Sequence, residues 1–181
     1  GNSIVPAGVT FGGYQLQVAT DAGFSSVVLD QNITTGVASS NFTFLTPLLR
    51  NTKYYWHVRS YDNANHFSSW SVTRSFRIAL LAPTLLSPTG SLLTNRPTFD
   101  WSDVTGASSY TIQVSTVNTF ASFVLNIATV GSTYTPTVDL PANKTPLYWR
   151  VLPNGTNGPS APSTVFTLNT ANPPSVPVLV A

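Results

Sequence analysis

The chain contains two imidazoles, His57 and His66, and these are the first places to look for acid–base chemistry. His66 stands near Asp62 and Ser68 in sequence, which together supply the side-chain types of an acyl-transfer triad. No nucleophile motif surrounds Ser68, and a stretch rich in Asp, Asn and Ser is what a hairpin connection needs. The same stretch, YDNANH at 61–66, alternates hard oxygen ligands as a calcium loop does. It offers one carboxylate where calcium takes several, so a turn is the expectation. Asp100 and Asp103 flank Trp101 and read as a strand end and a turn rather than as paired acids. Cysteine is absent, which removes disulfides, thiolate nucleophiles and thiolate metal sites. No Gly-rich phosphate cradle leads into a helix. The expectation is a protein that is not an enzyme, with no catalytic residue, no cofactor and no metal.

Whatever these side chains do, strands must position them. The 181 residues include six Asp, six Arg, two Lys and no Glu, while Thr, Ser, Val, Asn, Tyr and Phe are plentiful. Scarce helix formers and abundant β-branched and aromatic residues predict an all-β fold. At 42% apolar and 12% aromatic, the chain has enough surface to remove from water to offset chain entropy, so it should fold. The net charge of +2 is spread thinly with no run of Lys or Arg, which argues against a nucleic-acid partner. The longest apolar stretch, IALLAPTLL, is short and broken by Pro83, which argues against membrane insertion. Lack of cysteine in a Thr- and Asn-rich β-protein fits an extracellular or cell-surface location.

The chain repeats itself. YQLQVATDAGF at 14–24 returns as YTIQVSTVNTF at 110–120, a spacing about the length of one small domain. At one constant offset Tyr14, Gln17, Val18, Thr20 and Phe24 match Tyr110, Gln113, Val114, Thr116 and Phe120. Farther on, YYWHVRS at 54–60 matches LYWRVLP at 147–153 at a slightly shorter offset, as after the loss of a few loop residues. Within each copy apolar and polar residues alternate, the pattern of a half-buried strand. Tyr14, Leu16 and Val18 therefore point inward, as do Trp56 and Val58, and each Trp of these strands is expected in a core.

Several motifs now carry a family resemblance. WSDVTGASSYTIQVST at 101–116 resembles strands B and C of a fibronectin type III domain. LLRNTKYYWHVRSYD is similar to that family's entry into strand F, with Leu48, Thr52, Tyr54 and Val58 at the spacing of its tyrosine corner. SSWSVTRSF resembles the Ser-x-Trp-Ser run leading into strand G of many bacterial copies, which places Trp70 along the sheet beside arginine side chains. In the second copy Leu147 replaces the corner tyrosine, and Pro162 to Thr164 replace the Trp-Ser run. The resemblance implies tandem immunoglobulin-like (fibronectin type III) β-sandwiches of a large bacterial extracellular or surface protein. In that arrangement strands C and F are neighbours, so Gln15, Gln17, Tyr55, His57 and Arg59 share one outward face. Gln113, Tyr148 and Arg150 form its counterpart. Aromatic rings beside amides and guanidinium groups suit sugars or peptides, although such residues also stabilise a sheet through cross-strand pairs.

The alignment sets Val5 opposite Trp101, so the first domain, 1–80, is expected to lack strand A and part of strand B. The second, 81–171, is expected complete, and 172–181 reads as a linker and the first strand of a following domain. The leading function is a non-catalytic structural or adhesive spacer, whose partners are other domains of the same long chain and, beyond those, like chains or surface polysaccharide. One alternative is a subunit of an extracellular filament or sheath, in which 174–181 of one copy completes the open sandwich of the next. The other is a carbohydrate-binding accessory module of a large hydrolase. Four Asn-x-Ser/Thr triplets begin at Asn32, Asn41, Asn143 and Asn154, as expected by accident in so Asn- and Thr-rich a chain.

Overall fold

The computed structural model describes residues 8, 10–34, 41–142 and 146–171. The segment around Val5 expected to belong to strand B, the sequon at Asn143 and residues 172–181 lie outside the described residues. The chain is all-β among the described residues and divides into two compact units, 1–78 and 79–181.

In unit 1, β1 (Phe11–Ala19), β2 (Val27–Ile33), β3 (Thr52–Asp62) and β4 (Arg74–Ile78) form one antiparallel sheet in the order β2-β1-β3-β4. The alternation read from the sequence sets its register: Leu16 faces Val58, Val18 faces Trp56 and Tyr54 faces Phe76, all on one side. These are strands C, C′, F and G of the sandwich. Phe42 and Phe44 turn inward between exposed Asn41 and Thr43, in strand-like alternation but without a strand ladder. In unit 2 the corresponding segment is a strand because strand B pairs with it; among the described residues of unit 1 there is no strand B to do so.

In unit 2, β5 (Leu85–Ser87), β7 (Phe99–Trp101) and β10 (Thr133–Tyr134) make one sheet, ordered β10-β7-β5. The other runs β6-β13-β11-β8-β9, built from β6 (Gly90–Ser91), β8 (Ser109–Ser115), β9 (Leu125–Thr129), β11 (Leu147–Gly155) and β13 (Phe166–Asn169), with β12 (Gly158–Pro159) paired to β11. Between the sheets Phe99, Trp101, Ile112, Val114, Leu147, Trp149 and Val151 form a closed core.

The expectation that every strand-F tryptophan is core holds for one and fails for the other. Trp149 is 0% exposed, with the Phe99 ring edge-on at 4.9 Å and its indole N–H donating to the Pro88 carbonyl at 3.0 Å. Trp56 is half-buried and lines an open groove of about 460 Å³ with Leu16, Val18, Phe42, Phe44 and Val58. Its orientation is the predicted one; what differs is that no second sheet covers it among the described residues.

The tyrosine corner forms in unit 1, where the Tyr54 hydroxyl accepts from the Leu49 amide at 2.9 Å. In unit 2 Leu147 fills that place as a fully buried apolar side chain. A different tyrosine there ties a loop to the sheet, since the Tyr110 hydroxyl accepts from the Val104 amide at 2.8 Å.

Candidate functional site

The outward face of unit 1 is built on the β1–β3 pairing, which sets Gln15 beside Arg59 and Gln17 beside His57. Arg59 Nε donates to Gln15 Oε1 at 2.7 Å, and His57 Nε2 meets Gln17 Oε1 at 3.0 Å. Both glutamine amides then donate to one carboxylate on β2: Gln15 Nε2 to Asp30 Oδ1 at 2.6 Å and Gln17 Nε2 to Asp30 Oδ2 at 2.8 Å. Gln15, Gln17, His57 and Arg59 of the expected ligand face are thus joined through Asp30 into a single network. Tyr55 stands one row along, opposite Ala19 and Ser75, with the Lys53 ammonium 5.0 Å from its ring centre.

Across this network lies a stack of rings and cations. Phe24 lies flat on His57 at 3.5 Å, and Trp70 covers the other face of the imidazole at 3.8 Å. The Arg59 guanidinium sits 4.4 Å from the Trp70 ring and 4.0 Å from Phe67. The Trp-Ser run therefore places Trp70 beside an arginine, as the motif implies. Its serines fix the segment to β3: Ser68 N donates to Ser60 O at 2.9 Å while Ser60 N donates to Ser68 Oγ at 3.0 Å. Three residues on, Ser71 N and Val58 O, with Val58 N and Ser71 Oγ, repeat the exchange at 2.8 and 3.1 Å.

Unit 2 carries a reduced copy. Arg150 Nε donates to Gln113 Oε1 at 2.8 Å, Gln113 Nε2 donates to Asn126 Oδ1 at 3.3 Å, and the guanidinium lies 4.0 Å over Phe120. Tyr148 is half-buried opposite Ser115 and Thr167. Pro162 takes the place of Trp70, but the run is not wholly replaced. Ser163 makes the Ser71 exchange with Val151, N to O at 2.8 Å and N to Oγ at 3.0 Å.

Phe24, Phe120, Phe67 and Asp30 belong to this face and were missed from sequence. Phe24 and Phe120 reach it from the left-handed backbone region, at φ 57° and 55°, where a bulky residue is rare and costs about 1–2 kcal/mol. Their signal was the repeat itself, which returns Phe at the same place in both copies. In unit 1 the Asp21 carboxylate supports the turn by accepting from the amides of Gly23, Ser25 and Ser26 at 2.7–3.1 Å. Those donors, Ser25 and Ser26 foremost, hold its pKa below the usual carboxylate value.

The triad-like cluster is used by the backbone. Asp62 accepts from the amides of Ala64 and His66 at 2.9 Å and from His66 Nδ1 at 2.9 Å, and the His66 donors hold its pKa low. Ser68 Oγ is engaged by Ser60 N and by Ser69 O. The calcium-like stretch is accordingly a turn closed by its one carboxylate. No group of three His, Cys, Asp or Glu placed to hold a metal occurs among the described residues.

The C′-C-F-G strand order, the serine-held segment leading into strand G in both units and the tyrosine corner of unit 1 are features of the fibronectin type III fold, and the chain has the fold of a tandem of such modules. The two-domain fibronectin type III segment of chicken tenascin is similar with a TM-score of 0.56 at 17% identity, over 91% of this chain and 87% of that one. The FN1–FN3 domains of chicken CNTN1 are similar over 91% of this chain and 58% of that one, at 14% identity and a TM-score of 0.43. The tenascin likeness is one of fold. Residues 5–82 match a family model described as Rha78A-like, N-terminal immunoglobulin domain. No curated protein matches the chain. No helix of the described residues is long and apolar enough to cross a membrane.

Proposed function

We propose that the chain is a non-catalytic spacer pair within a larger secreted or cell-surface protein. The observation that carries this is the way the outward faces spend their polar groups. Asp30, both glutamines, Arg59 and His57 are hydrogen-bonded to one another, and Arg59 and His57 are sandwiched by rings, so these groups stiffen the sheet instead of waiting around a cavity. A family description that calls its domain N-terminal supports attachment to a longer chain. The other modules of that chain would be its partners.

A second reading, a carbohydrate-binding accessory module, is favoured by one feature. Tyr55 and Tyr148 stand at equivalent places on the two outward faces, half-buried, outside the closed network. Titrating the chain with soluble polysaccharides while following amide resonances separates the two. The spacer predicts no saturable shift. Saturable shifts around Tyr55 or Tyr148 that vanish in Tyr55→Ala or Tyr148→Ala would replace it with the carbohydrate reading.

A further inference from the structure

Every ring of the unit 1 stack except one is uncharged at any ordinary pH, and that one is an imidazole held in the middle. His57 is 8% exposed, pressed between Phe24 at 3.5 Å with 6° between planes and Trp70 at 3.8 Å with 13°. Its tautomer follows from the network: Gln17 spends its amide N–H on Asp30, so its carbonyl faces His57 and Nε2 must donate. A second proton has to go onto Nδ1, charging a ring whose two faces are covered by Phe24 and Trp70. There the new charge would have Trp70 between it and the Arg59 guanidinium, putting a cation on both faces of one indole.

We propose that this stack is an acid-released latch, in which protonation of His57 frees the 63–73 segment from the outward face of unit 1. The groups that face His57 are Gln17 on β1, Asp30 on β2, Arg59 on β3, Phe24 on the 20–26 turn and Trp70 on the segment itself. At the segment's start Asp62 Oδ2 and His66 Nδ1 are hydrogen-bonded at 2.9 Å. Burial, then Arg59, holds the His57 pKa below its ordinary value of 6.5, with Asp30 pulling the other way. A base whose folded pKa is lowered contributes stability above its unfolded pKa and loses it as pH falls toward the folded value. Lifting Trp70 uncovers one face of the charged ring and also removes the indole from between two cations, whereas lifting Phe24 would leave Trp70 between His57 and Arg59. Unit 2 has no imidazole there: Arg150 holds the His57 place and stacks on Phe120, with Pro162 where Trp70 would be.

The test is amide hydrogen exchange from about pH 7.5 to 5, corrected for intrinsic rate, on the full chain carrying His66→Gln so that His57 is the imidazole that titrates. Protection of the Ser68 and Ser71 amides is expected to fall below about pH 6.5, by up to about tenfold per pH unit for one proton. The Ser163 amide in unit 2 should stay flat, and His57→Phe, which keeps a ring in the stack, should flatten the unit 1 profile. A Ser71 profile parallel to that of Ser163 would overturn the latch, and so would acid sensitivity that survives His57→Phe. If His57→Phe does not fold, the NMR titration of His57 decides: a pKa below 6.5, with Ser71 protection falling between about pH 6.5 and that value, supports the latch, and a pKa at or above 6.5 or an unchanged Ser71 protection overturns it.

Discussion

Trp56 and Trp149 occupy the same place in strand F of two duplicated domains, point the same way, and differ in everything that covers them. Trp149 meets Phe99, Phe166 and the Pro88 carbonyl. Trp56 faces a groove. The pair separates two properties that sequence patterns run together: alternation along a strand decides which way a side chain points, whereas burial is decided by a partner strand that can be far away in the chain. The outward faces make the complementary case. There the partners come from the same sheet and adjacent turns, and both units build a glutamine–cation–aromatic cluster, fuller in unit 1 than in unit 2.

The comparison breaks most easily at the tryptophans. Trp149→Ala should destabilise unit 2 by about 3–5 kcal/mol, against about 1–2 kcal/mol for Trp56→Ala in unit 1, where less apolar surface leaves water. Denaturant unfolding followed separately in each unit measures both, and equal losses would mean that Trp56 is covered in solution. Next comes Leu147→Tyr, which asks whether unit 2 can accept the corner tyrosine. Leu147 is fully enclosed, so overpacking should cost about 1–3 kcal/mol, read from the same curves. A neutral result would show that the corner was given up without repacking. Tyr54→Phe is gentler still: deleting the hydroxyl that accepts from Leu49 should cost unit 1 about 1 kcal/mol. Tyr110→Phe should cost unit 2 a similar amount, because its hydroxyl does the same work from another strand.

The smallest effect is in pH. Asp21 and Asp62 are held low by hydrogen-bond donors, so their contributions persist above the ordinary carboxylate value and are lost only as pH falls through the lowered folded values. Between neutrality and about pH 5 the thermal midpoint of unit 1 should therefore soften through His57 while that of unit 2 stays level. A parallel decline in both units would remove the distinction between His57 and Arg150.

Much of this was legible in sequence because strands announce themselves by period. Tyr14–Val18, Trp56–Val58 and their repeats gave strands C and F, and the Leu48-to-Val58 spacing gave the tyrosine corner. The outward residues Gln15, Gln17, His57 and Arg59 followed from the same alternation. Phe24 did not, because a single ring carried to the sheet by a left-handed turn belongs to no period. Asp30 was hidden in VVLDQNI, a strand without clean alternation. Ser163 was overlooked because the run into strand G is conspicuous by its tryptophan, whereas the serines hold the backbone. The openness around Trp56 is outside its own strand's pattern, since it depends on strands that would pack from the opposite sheet; only the alignment of the two copies, which leaves the first domain short of strand A and part of strand B, bears on it.

One edge strand has a practical consequence for handling the protein. The outer side of β13 is taken up by β6, but β4, its counterpart, ends the sheet of unit 1 among the described residues. On β4, exposed Arg74 and Arg77 stand where unit 2 has Phe166 and Asn169. An exposed row of backbone donors and acceptors is a template for fibrous aggregation, and cationic side chains along it are a common deterrent. Two cations on an edge whose sheet has an open apolar side act against edge-to-edge pairing, so replacing Arg74 and Arg77 with the neutral residues of unit 2 should lower the concentration at which the protein begins to aggregate.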